Sequence, residues 1–171
     1  MDTFGEQVIS FYKTMRNDFV LPPGVKVMNP FADPAAAITA EVFYRKFYDD
    51  LEPRIFIIGI NPGRFGGGVT GVPFTDPIKL ENFCGIPNNF EPKAELSADF
   101  IYHVIGAFGG PKSFYGKFYF TSISPLGYTL NGVNLNYYDS RDLMNSIETL
   151  IPLWLESQIS FGAKRESCIC L

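Results

Sequence analysis

The segment between Asn61 and Phe74 carries the residue types that most suggest chemistry in this sequence. Asn61 brings a carboxamide, which can donate and accept hydrogen bonds without carrying a charge, and Phe74 brings an aromatic face directly after a proline. The stretch is rich in glycine and proline and has no helical or strand period, so it is predicted to be a long loop. We favour a functional loop over a flexible surface connection, because long loops in compact domains commonly serve function.

The glycine run over residues 63–68 does not match the known phosphate-binding patterns. A P-loop needs a lysine followed by serine or threonine after its glycines, and no such pair follows this run. A dinucleotide fingerprint needs glycines at a different spacing. Glycine content alone therefore gives weak support to a nucleotide site, although a Rossmann-like α/β domain that binds a small nucleotide stays open as an alternative.

Few other side chains are candidates for catalysis. The only histidine, His103, falls within a predicted helix, and we interpret it as a helix-surface residue. Asp76 is a reserve candidate for an acid, as is Asp99, but a carboxylate needs a raised pKa or a water to activate. Three cysteines cannot form a closed disulfide framework and are one ligand short of a four-cysteine metal site, so neither a metal nor a cofactor is expected. Cys168 and Cys170 are interpreted as small hydrophobic residues on one face of a core strand.

Strands and helices alternate along the chain. Continuous apolar runs predict buried strands over residues 55–60 and 118–123, and a third strand begins at 167–171. Helical spacing predicts helices over 4–19, 36–48, 96–108 and 140–161, with a kink at Pro152 in the last. In the helix over 96–108, one face is predicted to hold Leu96, Phe100, Ile101, Val104, Ile105 and Phe108. The pattern predicts an α/β fold, a three-layer α/β/α sandwich with a short parallel sheet, in a single domain over residues 1–171.

Both distinctive loops follow the carboxyl ends of predicted strands. The first begins after Ile60 and the second, Ser124-Pro125-Leu126-Gly127, begins after Ile123. Ligands of open parallel sheets bind beyond the carboxyl ends of the strands. The two loops are therefore expected to line one crevice.

The string from Gly59 to Phe74, Gly-Ile-Asn-Pro-Gly-Arg-Phe-Gly-Gly-Gly-Val-Thr-Gly-Val-Pro-Phe, resembles the first active-site motif of a known enzyme family. That family is the single-strand-selective monofunctional (SMUG-like) branch of the uracil-DNA glycosylase superfamily. In both, a strand delivers Gly-x-Asn-Pro-Gly, and Thr-Gly-Val-Pro-Phe closes the loop. Asn29-Pro30 resembles the family's Asn-Pro element, and residues 122–126, Ser-Ile-Ser-Pro-Leu, are similar to its Asn-x-Cys-Pro-Leu segment. These elements follow the family's order over most of the chain.

The resemblance implies a DNA glycosylase of base excision repair. Such an enzyme flips a deaminated base out of the stack and hydrolyses its N-glycosidic bond with an activated water, without a lysine nucleophile or a metal. It implies that Asn61 positions the water and that Phe74 stacks on the base. Carried over from the family, the base-binding positions are Gly59, Ile60, Gly71, Phe74 and Ser122, with backbone amides near Ile60 and Gly71 contacting the base, and the DNA-contacting positions are Pro62, Gly63, Ser124 and Pro125.

Two departures from the family pattern mark the chain as a divergent member. Ser122 stands where most relatives place an asparagine that reads the edge of uracil, and a hydroxyl is too short for a two-point amide contact. Xanthine and hypoxanthine therefore join uracil as candidate bases. The family's second motif, a His-Pro segment, is absent from these 171 residues. We expect a domain that lacks its C-terminal part and has weak or no turnover on its own.

Composition predicts a soluble globular protein in a reducing cytoplasm, nucleoid-associated if bacterial. The sequence is 46% hydrophobic, lacks a membrane-spanning run and begins without a signal peptide pattern. We expect a monomer whose partner is single- or double-stranded DNA, with no membrane partner. The net charge of −4 opposes a nucleic-acid partner, because phosphate contacts usually require a basic surplus. This charge keeps open a second reading, a catalytically silent nucleic-acid- or nucleotide-binding module of the same fold.

Overall fold

The computed structural model describes residues 1–15 and 19–171, which form helices around two small sheets. The helices are α1 (Phe4–Thr14), α2 (Pro34–Phe47), α3 (Gly67–Thr70), α4 (Pro77–Asn82), α5 (Leu96–Ala107), α6 (Pro111–Tyr115), α7 (Arg141–Ile147) and α8 (Leu150–Ile159). The strands are β1 (Val25–Met28), β2 (Arg54–Gly59), β3 (Phe118–Ser122), β4 (Gly127–Leu130), β5 (Val133–Leu135) and β6 (Ala163–Cys170). A 3-10 turn covers Pro30–Ala32.

The central sheet is parallel, with strand order β3-β2-β6, and carries helices on both faces. On one face, the ring of Phe4 in α1 packs edge-on against Phe56 and Tyr119. On the other face, Phe120 stacks with Phe114 of α6 at 5.5 Å between ring centroids. Alternate residues of a strand point to opposite faces, so these contacts place α1 and α6 on opposite sides. The predicted three-layer α/β/α arrangement with three parallel strands is confirmed.

The second sheet is an antiparallel ribbon, with order β1-β4-β5, that sequence reasoning did not predict. Its hairpin turns at Asn131 and Gly132, whose φ angles of 52° and 75° match the left-handed turn typical of Asn-Gly. The ribbon packs closely on the loop that follows β2, because a Cβ on Gly127 would lie 2.6 Å from the carbonyl oxygen of Pro62. It therefore becomes a wall of the candidate site.

The helix starts follow local capping chemistry. Thr3 and Glu6 form a reciprocal capping box on α1, and Asp33 caps α2 with Pro34 at its first position. Helix α1 ends at Thr14, earlier than the predicted end at residue 19, and Met15 is already extended. Residues 16–18 of that prediction lie outside the described part of the chain.

Three predictions about helices and strands were wrong in detail. Helix α5 buries Ala98, Ile101, Tyr102 and Ile105, whereas Leu96, Phe100, Val104 and Phe108 are exposed, because the buried stripe follows the face toward Thr75 and Tyr115. The helix predicted over 140–161 breaks between α7 and α8, and Pro152 sits in the first turn of α8, where a missing N–H is tolerated. Strand β6 is the expected third parallel strand and pairs with β2, but Cys168 and Cys170 are exposed on it.

Candidate active site

The two candidate loops emerge together from the carboxyl edge of the parallel sheet. Gly59 and Ser122 are paired at the ends of β2 and β3. Pairing continues beyond them, since the N–H of Ile123 donates to Gly59 at 2.9 Å and the N–H of Ser124 donates to Ile60 at 3.1 Å. The two loops therefore start side by side at this edge of the sheet.

Phe74 lies over the end of β2 in a strained conformation. Its φ of 53° falls in the left-handed region, which a bulky side chain adopts at a cost of about 1–3 kcal/mol. The ring packs on Phe120 at 5.1 Å, and a Cβ on Gly59 would lie only 2.9 Å from its Cζ. Gly59 thus leaves room for the ring, which stays partly exposed at the edge of the sheet.

Two buried threonines brace the turn that carries Phe74. The Thr70 hydroxyl donates to the carbonyl of Thr75 at 2.7 Å and accepts from the N–H of Val72 at 3.1 Å, which closes the turn across its base. The Thr75 hydroxyl in turn bonds with the buried phenol of Tyr102 on α5 at 3.0 Å. These contacts hold the strained backbone of Phe74 in place.

The side-chain amide of Asn61 is oriented by backbone groups of the ribbon. Its Oδ1 accepts from the N–H of Tyr137 at 3.0 Å, and its Nδ2 donates to the carbonyl of Leu135 at 3.4 Å. The amide nitrogen also lies 3.4 Å from the carbonyl of Pro62. Oδ1 keeps a second lone pair, so the fixed amide can accept a further hydrogen bond from a water.

Ser122 lies on the same face of the sheet as the Phe74 ring. It follows Phe120 by two residues, and residues two apart on a strand share a face. Ser122 is 4% exposed, and its carbonyl accepts from the fully buried Gln158 of α8 at 3.4 Å. Gln158 also accepts from the Thr121 hydroxyl, so this glutamine anchors the end of β3.

Asn61, Phe74 and Ser122 are thus brought to one edge, while other predicted positions lie elsewhere. The N–H of Gly71 donates to Gly67 at 3.1 Å and its carbonyl accepts from Tyr44, which argues against the predicted contact with a base. Ser124 is fully buried, and its hydroxyl bonds to the carbonyl of Leu126 and the phenol of Tyr128.

The four predicted DNA-contacting residues divide by burial. Ser124 and Pro125 are buried, which argues against direct DNA contacts from their side chains. Pro62 and Gly63 are partly exposed on the first loop, beside Asn61. The first loop therefore offers the accessible surface next to the site.

The reserve catalytic candidates have structural roles. Asp76 is fully buried: one oxygen caps α4 by accepting from the N–H of Lys79 at 2.8 Å, and the other accepts from the N–H of Glu95 at 3.0 Å. Asp99 pairs with Lys79. His103 is exposed on α5, and its Nδ1 lies 2.6 Å from the carbonyl of Asp99, as expected for a helix-surface histidine.

The rim of the first loop combines charge with an aromatic ring. The guanidinium of Arg64 lies 4.4 Å from the centroid of the Phe65 ring, and the ammonium of Lys93 lies 5.5 Å from the same ring. The Arg64 side chain also donates to the carbonyl of Gly132, and its N–H donates to the Asn134 side chain at 3.0 Å. These contacts place two cations beside the first loop.

Glu95 is a carboxyl group with a raised pKa beside the loop. Burial raises the pKa of its carboxyl above the usual value, the nearby Asp76 carboxylate raises this pKa further, and the Ser97 hydroxyl opposes both. Sequence reasoning missed Glu95, Tyr137 and Gln158, which have no motif. The Asn-Gly pair at 131–132 is a hairpin signal that could have revealed the ribbon.

Within the described ranges, no group of three histidine, cysteine or acidic side chains could hold a metal ion. Among those same residues, none of the helices has the length and apolar character needed to cross a membrane.

A family model and a solved structure that match this chain point to the same family. A model of the uracil DNA glycosylase superfamily matches residues 45–168. The crystal structure of wild-type Pedobacter heparinus SMUG2 matches with a TM-score of 0.95 and 42% sequence identity, over 100% of this chain and 76% of that one. Among proteins with curated descriptions, none matches.

Proposed function

Because the chain belongs to the uracil DNA glycosylase superfamily, we propose that it excises a deaminated base from DNA by hydrolysing the N-glycosidic bond. One observation carries the proposal: the fixed amide of Asn61 and the strained ring of Phe74 stand at the same edge of the parallel sheet. Strain at a site is retained only where the surroundings enforce it, and here Thr70 and Thr75 enforce it. A flipped base would stack on the ring.

The proposed reaction uses water as the nucleophile. Oδ1 of Asn61, already accepting from Tyr137, accepts a hydrogen bond from the water and aims its oxygen at the sugar C1′. A bond forms between that oxygen and C1′ while the bond from C1′ to the base nitrogen breaks, and the base leaves with the bonding electrons. The water proton passes to solvent or to the departing base, which leaves an abasic sugar and a free base.

We propose that the Ser122 hydroxyl selects the base. Ser122 offers one short group that can donate or accept, so it discriminates less strictly than a carboxamide would. We propose uracil as a substrate, with xanthine and hypoxanthine as further ones. Both single-stranded and double-stranded DNA that contain the base should be tested as substrates.

The leaving base lacks a histidine partner in this chain. His103, the only histidine, lies exposed on α5 and bonds to its own helix. We therefore propose that residues 1–171 turn over weakly by themselves. The same observation favours the second candidate, a module that binds DNA without cleaving it.

The test compares excision and binding by wild type and Asn61→Ala, with Asn145→Ala on the exposed surface of α7 as matched control. Oligonucleotides carrying uracil, xanthine or hypoxanthine are incubated under single-turnover conditions, and binding is followed by fluorescence anisotropy. We expect slow excision by wild type and by the control, and a loss of roughly 10²- to 10⁴-fold in Asn61→Ala with binding retained.

Other outcomes separate the two candidates. DNA binding without any excision by wild type would support the silent module. Absence of both would reject the proposal, and rapid, complete uracil excision by these residues would overturn the expected weak turnover.

A further inference from the structure

Glu95 lies against the backbone of the first loop. It directly precedes α5 and is half-buried, and its two carboxyl oxygens occupy the space beside two glycines. An ideal Cβ on Gly63 would collide with Oε1, and one on Gly66 would collide with Oε2. The Cδ of Glu95 would lie 3.5 Å and 2.8 Å from these two Cβ positions. The carboxyl group therefore spans a four-residue piece of the loop that begins two residues after Asn61.

Glu95 is itself held from behind by Asp76. The N–H of Glu95 donates to Oδ2 of Asp76 at 3.0 Å, and Asp76 is fully buried at the start of α4. Asp76 follows Phe74 by two residues. Contacts thus connect the turn that carries Phe74 to Gly63 at the start of the same loop, through Asp76 and Glu95.

The surrounding charges leave the Glu95 carboxyl in an anionic setting. Asp76 faces it from α4, and burial together with this neighbour raises the pKa of Glu95. The cations on adjacent segments have other partners. Lys79 pairs with Asp99 and Asp76, Lys93 pairs with Glu91, and Arg64 lies over the Phe65 ring.

We propose that Glu95 is a positioning residue for base excision, whose carboxyl group holds the segment from Gly63 to Gly66 so that Asn61 keeps its place. This inference rests on the proposed function for its consequence and on the loop geometry for its basis. The hydrogen bond from the N–H of Gly68 to the carbonyl of Gly63, 2.8 Å long, spans the segment and reports on its order.

Activity provides the first test, with Glu95→Ala, Glu95→Gln and the exposed control Glu81→Ala on α4. We expect Glu95→Ala to lower kcat by roughly 10- to 100-fold with a smaller change in KM, because a small displacement of a positioned group slows the chemical step. Glu95→Gln, which keeps the shape, should retain kcat at acidic pH. Wild-type kcat should change as Glu95 ionises, and Glu95→Gln should lack this change.

Stability gives a pH readout with a defined sign. The folded protein binds the Glu95 proton more tightly than the unfolded chain, since the folded pKa is raised. The stability that this group contributes is therefore fully present below its ordinary pKa of 4.5. It declines as pH rises through the raised pKa of the folded protein. Glu95→Gln should lose that decline, whereas Glu81→Ala should keep it.

Hydrogen exchange and a double-mutant cycle test the geometry without any substrate. Glu95→Ala should speed amide exchange at Gly68, and Glu95→Gln should not. Gly63→Ala should lower the Tm of wild type but lower it much less in the Glu95→Ala background, because the carboxyl no longer opposes the new methyl group.

The two proposals fail in different ways. If wild type does not excise any base, yet Glu95→Ala loosens the Gly68 amide and relieves Gly63→Ala, the proposed function fails and the positioning role stands. If wild type excises and Glu95→Ala changes neither kcat, exchange nor the cycle, the positioning role is overturned. An unchanged pH profile in Glu95→Gln would also overturn it.

Discussion

Asn61 owes its orientation to atoms far away in the sequence. Its amide oxygen accepts from the N–H of Tyr137 while its amide nitrogen donates toward the carbonyl of Leu135. An aspartate could accept the first bond, but it would place a second acceptor against a carbonyl oxygen. The two ribbon contacts therefore select a carboxamide at this position and fix the orientation of its oxygen and nitrogen.

Gly59 decides whether the Phe74 ring can lie over the sheet edge. Gly59→Ala puts a methyl group about 2.9 Å from the Cζ of that ring, so the ring has to move. We expect a loss of roughly 10- to 100-fold in single-turnover excision and of about 1–3 kcal/mol in stability from overpacking.

The matched control is Gly106→Ala on α5, where an added Cβ meets nothing within 4 Å. Alanine is a better helix former than glycine, so this variant should gain about 0.5–1 kcal/mol and keep full activity. Excision assays and thermal unfolding measure both effects. Equal activity of the two variants would show that the ring position is unimportant.

The structural elements differ in how much of them the sequence could predict. Strands β2 and β3 were predicted because both are continuous apolar runs, the signature of strands buried on two faces. The ribbon was missed because its strands have only three or four residues and carry mixed side chains. Strand β1 also pairs with β4, about a hundred residues away, and no local pattern specifies that partner.

The candidate site was also predicted only in part from the sequence. The motif that ends in Phe74 and the separate segment over residues 122–126 predicted Asn61, Phe74 and Ser122 at one edge, because the carboxyl ends of parallel strands lie together. The groups that orient them, such as Tyr137 and Glu95, depend on how loops pack in three dimensions. A sequence pattern therefore predicted that the candidate site residues lie together, but not which residues support them.

The start of β2 depends on a buried charge. The Arg54 side chain is fully buried, stacks over Phe4 and Tyr48, and pairs with Asp50 at 2.8 Å. The hydrogen bond from the Arg54 side chain lowers the pKa of the Asp50 carboxyl. Asp50→Asn should therefore destabilise the protein at neutral pH by about 1–3 kcal/mol. This loss is smaller than the loss expected when a fully buried ion pair is broken, because Asp50 is 44% exposed and water screens its charge.

The pH dependence of this effect has a definite direction. With its folded pKa lowered, Asp50 contributes stability above its ordinary pKa of 3.8, and this contribution is lost as pH falls through the lowered value. The difference between wild type and Asp50→Asn should shrink below about pH 4 in denaturant titrations. The exposed neighbour Asp49→Asn serves as control, and an identical loss in that variant would refute the role of the ion pair.

The proposed function requires the whole molecule to bind a polyanion while it carries a net charge of −4. Part of its positive charge is paired with carboxylates: Lys13 with Glu41, Arg45 with Glu6, Arg54 with Asp50 and Lys79 with Asp99. Arg64 instead lies on the first loop, over the Phe65 ring. Attraction to DNA should therefore come from a few local cations, and binding should depend only weakly on salt.

Arg64→Ala tests this distribution of charge, with Arg45→Ala on α2 as the control. Removal of one phosphate contact should weaken DNA binding to a similar degree for every base and reduce the slope of log K against log salt by roughly 0.7–0.9. Arg45 pairs with Glu6 at 3.3 Å, so its loss should leave that slope unchanged. Anisotropy titrations over a range of salt measure the slopes, and equal slopes in both variants would place the DNA on another face.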